Sequence, residues 1–242
     1  MSEQSAIVLQ ARMGSTRLPG KVMAMLSGAS VLAHCIERLR FASAMPVIVA
    51  TTTDAADDVV EKEARRLGAQ VLRGPADDVL ARYALAVTTF DLAQVVRATA
   101  DNPAVDMDAP RRSLALLQRT GVDYVVERGL PYGTAVEAVS ASAILLAADH
   151  ASNAYDREHV TPFIKRDHRC VAIDAIAPGR LRRSDLRFTI DTPEDLEFLR
   201  KVFGWLPLSP DGPAPLAALI EAADRVRRSG ADSPGSAAQG TR

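Results

Sequence analysis

Residues 6–21 read Ala6-Ile-Val-Leu-Gln-Ala-Arg-Met-Gly-Ser-Thr-Arg-Leu-Pro-Gly-Lys21, an apolar run that passes directly into a short polar loop. Ala6 to Leu9 lack the polar alternation of a half-exposed strand. They predict a buried first strand of the kind found in parallel sheets. From Gln10 to Lys21 the loop gathers three cations (Arg12, Arg17, Lys21), two hydroxyls, two glycines and a proline. Polyphosphates are held by such loops, which offer exposed N–H groups, small residues that permit close approach, and matching positive charge. The loop is therefore expected to bind the triphosphate of a nucleotide, although composition alone also allows a surface loop with solvated arginines. It is not a P-loop: five residues separate Gly14 from Gly20, and Val22 stands where the metal-binding hydroxyl belongs. The glycine fingerprint of dinucleotide-binding folds is absent too.

Strand and helix alternate downstream. Apolar runs predict strands over 46–50, 70–72, 93–97 and 123–126; helical spacing predicts helices over 31–40 (Ser30 as N-cap), 57–67, 77–88 and 109–119. Short connections between them argue for parallel βαβ units, an α/β fold in three α/β/α layers around a mostly parallel central sheet. Ligands in such sheets lie beyond the carboxyl ends of the strands, where the opening loop and Asp101 both fall. From Pro131 the rhythm changes. A strand is expected over 134–139, with Glu137 as a lone acid in an apolar frame, then a helix over 142–150 and short strands at 170–173 and 188–190. Thr192-Pro-Glu194 marks a helix start that runs to about Phe203, and a last helix covers about 215–228. One domain is expected over 1–228. The Ser/Gly/Ala-rich tail, 229–242, is expected to be disordered.

Twenty-nine Lys and Arg against 30 Asp and Glu give a net charge of −1, so no global field recruits nucleic acid or a membrane surface. Two cysteines, Cys35 and Cys170, are too few for a disulfide framework or a zinc site. No stretch approaches the roughly 20 apolar residues of a membrane span, and the N-terminus lacks a signal peptide's basic region. The expected location is the cytoplasm.

Residues 7–21 closely resemble the opening of the cytidylyltransferases that make CMP-activated sugars, above all the spore-coat polysaccharide branch and also the CMP-ketodeoxyoctonate and acylneuraminate synthetases. The resemblance continues through Arg73-Gly-Pro-Ala-Asp-Asp-Val-Leu-Ala-Arg-Tyr83, Ala100-Asp-Asn-Pro103, Arg157-Glu-His-Val-Thr-Pro162 and Thr189-Ile-Asp-Thr-Pro-Glu-Asp195, covering about residues 5–205 in order. It implies a nucleotide-diphospho-sugar transferase (Rossmann-like) fold, and transfer of CMP from CTP to a small acceptor with release of pyrophosphate. It further implies Arg12 and Lys21 at the triphosphate, with neutral donors from Ser15 and the backbone of Ala11, Met13 and Gly14. Arg17 either joins them or braces the loop. Asp101 and Asp191 match the family's metal-binding aspartates, with Mg2+ as the metal; the alternative for Asp191 is a cap on the turn at Thr192. Arg73, Asp78 and Arg82 fall near the nucleotide by the same resemblance, yet Asp78 and Arg82, four apart, could be a surface ion pair. Glu137, Arg157 and His159 are the candidates for binding the acceptor. Family relatives are often homodimers, which makes 131–175 a candidate interface. The main rival is a metal-dependent GT-A-type glycosyltransferase using a nucleotide-sugar donor, for which Asp106-Met-Asp108 is a superficial Asp-x-Asp pair.

Overall fold

The computed structural model describes residues 4–41, 43, 45–206 and 212–231. β1 (Ser5–Gln10) buries its four inner residues completely and lies inside the sheet, with two strands beyond it on one side and four on the other. A hairpin of β2 (Met25–Leu26) and β3 (Ala29–Ser30) leads into α1 (Val31–Phe41). There Ser30 Oγ accepts the Ala33 amide at 3.1 Å, the cap that the sequence implies. The alternation continues through β4 (Val47–Thr52), α2 (Asp58–Arg66), β5 (Gln70–Gly74), α3 (Val79–Thr89), β6 (Gln94–Thr99), α4 (Ala109–Thr120) and β7 (Tyr124–Arg128). The second part comprises β8 (Glu137–Ser140), α5 (Ala141–His150), α6 (Ala154–His159), α7 (Pro162–Arg166), β9 (Ala172–Ile176), α8 (Pro193–Gly204) and α9 (Leu216–Ala231).

The seven strands lie in the order β5-β4-β1-β6-β8-β7-β9, all parallel except β8, which runs antiparallel to both neighbours. Side-chain alternation splits β1 between two cores. Ile7 and Leu9 pack with α1, α2, α4, α8 and α9, whereas Ala6 and Val8 pack with α3, α5 and α7. Both faces of the sheet are thus covered, which is why its strands read as unbroken apolar runs. Each fully buried Leu or Ile there contributes about 1.5–3 kcal/mol.

Three expectations are corrected. Residues 188–190 are buried and extended but form no strand, because their backbone partners are loops: the Phe188 amide donates to Tyr132 O at 2.7 Å and that of Ile190 to Asp101 O at 2.8 Å. The short strand expected at 170–173 is β9, which begins at Ala172 and lies at the sheet edge, as its alternating exposure suits. α9 continues to Ala231, so Ser229 to Ala231 are helical, and the remainder of the expected disordered tail lies outside the described residues.

α8 begins with a full capping box: Thr192 Oγ1 accepts the Asp195 amide at 3.3 Å, and Asp195 Oδ2 accepts the Thr192 amide at 3.1 Å. The same carboxylate accepts the Asp191 amide at 2.9 Å, so the cap also fixes the residue before it. Thr192→Ala is expected to cost about 1 kcal/mol in equilibrium urea unfolding; an unchanged midpoint would show that the box does not hold the helix start.

Candidate active site

The loop after β1 folds back on itself. The Met13 carbonyl accepts the amides of Ser15 at 2.9 Å and Gly20 at 3.0 Å, and Gly20 takes a left-handed conformation (φ 72°) to allow it. Its other anchor is Asp57, a buried acid whose Oδ1 accepts the Met13 amide at 2.6 Å while Oδ2 is held by Thr52. Asp57 was not legible as part of this loop, since only the β4–α2 geometry brings it there.

This folding delivers Lys21 to a point where three chain segments meet. Its Nζ donates to Asp101 Oδ2 at 2.7 Å, to Ile190 O at 2.7 Å and to Asp191 Oδ1 at 3.1 Å. Arg17 reaches Asp191 Oδ1 at 2.9 Å from the exposed side, and Arg187 holds Oδ2 at 2.6 Å. Burial alone would raise the pKa of Asp191. The bond to Lys21, its charge, and those of Arg187 and Arg17 instead hold the carboxyl below the ordinary range. Three oxygens, two carboxylate and one carbonyl, therefore converge on one cation. That donor set fits magnesium, which takes few protein carboxylates and completes its shell with phosphate oxygens and water.

These residues border a cleft of about 920 Å3 along the carboxyl ends of the strands. A smaller cavity of about 510 Å3, beside Phe41 and Phe203, touches none of the loop residues, so the larger cleft is the site. Arg12 and Arg82, which both line the cleft, donate to Ala76 O at 3.1 and 3.2 Å and so strap the β5–α3 loop in place. Arg82 is fully buried, and burial lowers its pKa. Arg12 also meets Glu158 at 3.3 Å. Gly14, Ser15, Ala11 and Arg17 line the same wall, whereas Met13 contributes through the backbone bonds that shape the loop.

Other expected site residues lie outside the lining. Arg73 points to the far side, where it donates to Thr52 O at 2.7 Å, Asp54 O at 2.7 Å, Asp58 at 2.6 Å and Glu61 at 3.0 Å. Asp78 does not pair with Arg82. It caps α3 by accepting the Ala81 amide at 2.8 Å and binds Arg157 Nε at 2.6 Å. Arg157 completes its bonding on the carbonyls of Ala148 and Ala151, at 3.0 and 2.9 Å. Asp78 and Arg157 form a brace behind the cleft wall. The Asp-x-Asp pair is absorbed too: Asp106 is buried against Arg112 at 2.5 Å, and Asp108 faces Arg111. Neither borders the cleft, which removes the structural basis for the glycosyltransferase rival.

The far half of the cleft is built on Glu137. Its Oε2 accepts Arg97 Nη1 at 2.5 Å; its Oε1 accepts Tyr124 OH at 2.5 Å, Thr161 Oγ1 at 3.0 Å and Lys165 Nζ at 3.1 Å. Arg97 also donates to Gln10 Oε1 at 3.1 Å. Burial would raise the Glu137 pKa, but Arg97, Lys165 and the Tyr124 hydroxyl outweigh it and bring it to about 2. Arg97, Lys165 and Tyr124 went unread, although two lone charges in two buried strands are themselves a signal of a cross-strand pair. Val160 shapes this wall through a left-handed backbone (φ 70°, ψ −58°), with the Thr161 amide donating to His159 O at 2.8 Å. A β-branched residue is strained there. The turn aims Thr161 at Glu137 and leaves His159 exposed on the cleft beside Tyr155. Gly133 (φ 89°) forms the floor, where a Cβ would stand 2.7 Å from Thr189 N.

Fold and cleft together define an α/β protein with a cation-rich loop after its first strand, at the carboxyl edge of a mostly parallel sheet. The cytidylyltransferase family profile matches residues 6–222. The chain is 30% identical over 203 residues to the spore coat polysaccharide biosynthesis protein SpsF of Bacillus subtilis, covering 81% of this chain and 85% of the relative. It is 31% identical over 237 residues to a 3-deoxy-manno-octulosonate cytidylyltransferase of Anaeromyxobacter dehalogenans, covering 81% and 96%. Among solved structures, a cytidylyltransferase from Leptospira borgpetersenii superposes with a TM-score of 0.85 at 30% identity, covering 93% and 96%. The chain belongs to the cytidylyltransferase family and is a CTP-dependent nucleotidyltransferase.

The Glu137 cluster carries a pH prediction. Because the folded pKa is depressed, the unfolded chain binds more protons between the ordinary value of 4.5 and about 2. The stabilisation is complete above 4.5 and lost as pH falls toward 2. Glu137→Gln should flatten that acid limb of the stability curve by roughly 2–3 kcal/mol; an acid limb identical to wild type would contradict the assignment.

Proposed function

We propose that the protein transfers CMP from CTP to an oxygen of a small anionic acceptor, with Mg2+ held by Asp101 and Asp191, in surface-glycan or related metabolite synthesis in the cytoplasm. The observation that carries this reading is the convergence of Lys21, Asp101, Ile190 O and Asp191 at the mouth of the phosphate loop. The acceptor oxygen attacks the α-phosphorus and the bond to the β-phosphate oxygen breaks. Catalysis then rests on positioning and charge stabilisation. Arg12, Arg17 and Lys21 take up the charge of the departing pyrophosphate, while Ser15 and the loop amides add neutral donors. The metal, when bound, would supply charge neutralisation at the phosphates. Arg82 holds the strap over the nucleotide, and Arg73, Asp78 and Arg157 act as braces behind it.

The cluster of Arg97, Lys165 and Glu137 carries one net positive charge, and the exposed His159 lines the same cleft. That balance supports an acceptor bearing a carboxylate, phosphate or phosphonate, with Glu137 orienting the donors that meet it. Among the described residues no helix is long and apolar enough to cross a membrane. The exposed Val171, immediately before edge strand β9, and Tyr155 support a homodimer through 131–175, and the exposed Ile176 at the end of β9 continues that surface.

Incubation with CTP, Mg2+ and a panel of sugar acids, sugar phosphates and phosphonates is expected to release pyrophosphate with at least one acceptor. Sugar transfer from a nucleotide-sugar without pyrophosphate would contradict the reading. Lys21→Ala should lower turnover roughly 10²–10³-fold with an unchanged circular dichroism spectrum; near-wild-type turnover would count against the loop's role.

A further inference from the structure

Lys21 has two tasks that cannot be performed together. An ammonium has three N–H donors and no acceptor. All three are used where it stands, on Asp101 Oδ2, Ile190 O and Asp191 Oδ1 at 2.7, 2.7 and 3.1 Å. No donor is left for a phosphate. The same three oxygens are the hard donors that a divalent ion takes, and two cations cannot share them at these distances.

We propose that Lys21 is a stand-in cation: its ammonium excludes divalent metal from the Asp101–Asp191 pair until a triphosphate draws it away, so metal entry is coupled to nucleotide binding. This rests on the metal reading above. The surroundings suit such an exchange. Lys21 is set at the end of the phosphate loop, in the turn Lys21–Met23, on a flexible four-carbon stem. Asp191 does not collapse when the ammonium leaves, because Arg187 keeps its second oxygen at 2.6 Å and Asp195 keeps its amide at 2.9 Å. Arg17 touches the same Asp191 oxygen but is largely solvent-exposed, so its field is screened. By linkage, the nucleotide tightens metal binding as much as the metal tightens nucleotide binding.

The test is Mn2+ binding to the whole protein, read by the electron paramagnetic resonance signal of free Mn2+, without nucleotide and with CTP. Without nucleotide, Lys21→Met is expected to bind one Mn2+ at least about tenfold tighter than wild type, as removal of a competing occupant requires. Arg17→Met removes the same charge from the same aspartate and should gain less than about threefold, as a screened surface charge would. Adding Asp101→Asn to Lys21→Met should abolish the gain, and Lys21→Gln repeats the measurement if Lys21→Met does not fold. Suppose wild type with CTP holds an Asp101-dependent Mn2+ while Lys21→Met gains nothing, or no more than Arg17→Met. The exclusion is then overturned and the metal reading stands. If no Asp101-dependent Mn2+ is found with or without CTP, both are overturned.

Discussion

One ammonium group ties the carboxyl-edge cleft together. Lys21 comes from the loop after the first strand, Asp101 from the end of β6, and Ile190 and Asp191 from the segment that enters α8. These segments are far apart in sequence, and the Lys21 side chain bonds to both of the others, alongside the Ile190–Asp101 backbone bond, the Thr189–Asp101 bond and the Arg17–Asp191 ion pair. Two carboxylates brought this close repel each other unless a cation sits between them. The loop conformation, the cap of α8 and the carboxyl end of β6 are all arranged to meet at that cation. Asp57 under Met13, Asp195 under Asp191 and Arg187 beside it are the supports that make the meeting point rigid.

The other half of the cleft obeys the same electrostatic logic with the signs exchanged. There a single acid, Glu137, collects donors from β6, β7, the turn at Thr161 and α7. It sits on β8, the antiparallel strand of the seven-stranded sheet, and its register opposite Arg97 places both charges side by side on the sheet. A buried carboxylate without partners would be strongly disfavoured. With these partners it becomes the fixed point around which this wall of the cleft is built. The strained Val160 turn is the local conformational cost of bringing Thr161 and His159 to that wall.

The fold was legible because its signals are local. Apolar runs without alternation, helical spacing and the Thr192-Pro-Glu194 start all report on neighbouring residues, and the structure follows them closely. Residues 188–190 defeated the reading because strand identity there depends on partners far away in sequence. The same limit explains the site. Lys21, Asp101 and Asp191 lie at element ends whose position in an α/β sheet is predictable, and they meet. Which way Arg73 turns depends on which face of β5 it occupies, and the motif alone is silent about that; it faces Asp58 and Glu61 on α2. Asp78 and Arg157 come together across 79 residues, a contact that no local spacing announces. Asp57 reads in the sequence only as the start of the helix over 57–67, and it anchors the loop after β1.

The most direct measurement of the central claim is a crystal structure with CTP and Mn2+, using the anomalous signal of manganese to locate the ion. The account predicts the anomalous peak at the carboxylates of Asp101 and Asp191, with Lys21 Nζ withdrawn from that point and bonded to the triphosphate. A manganese peak elsewhere in the cleft, or an ammonium still seated between the two aspartates with nucleotide bound, would contradict it.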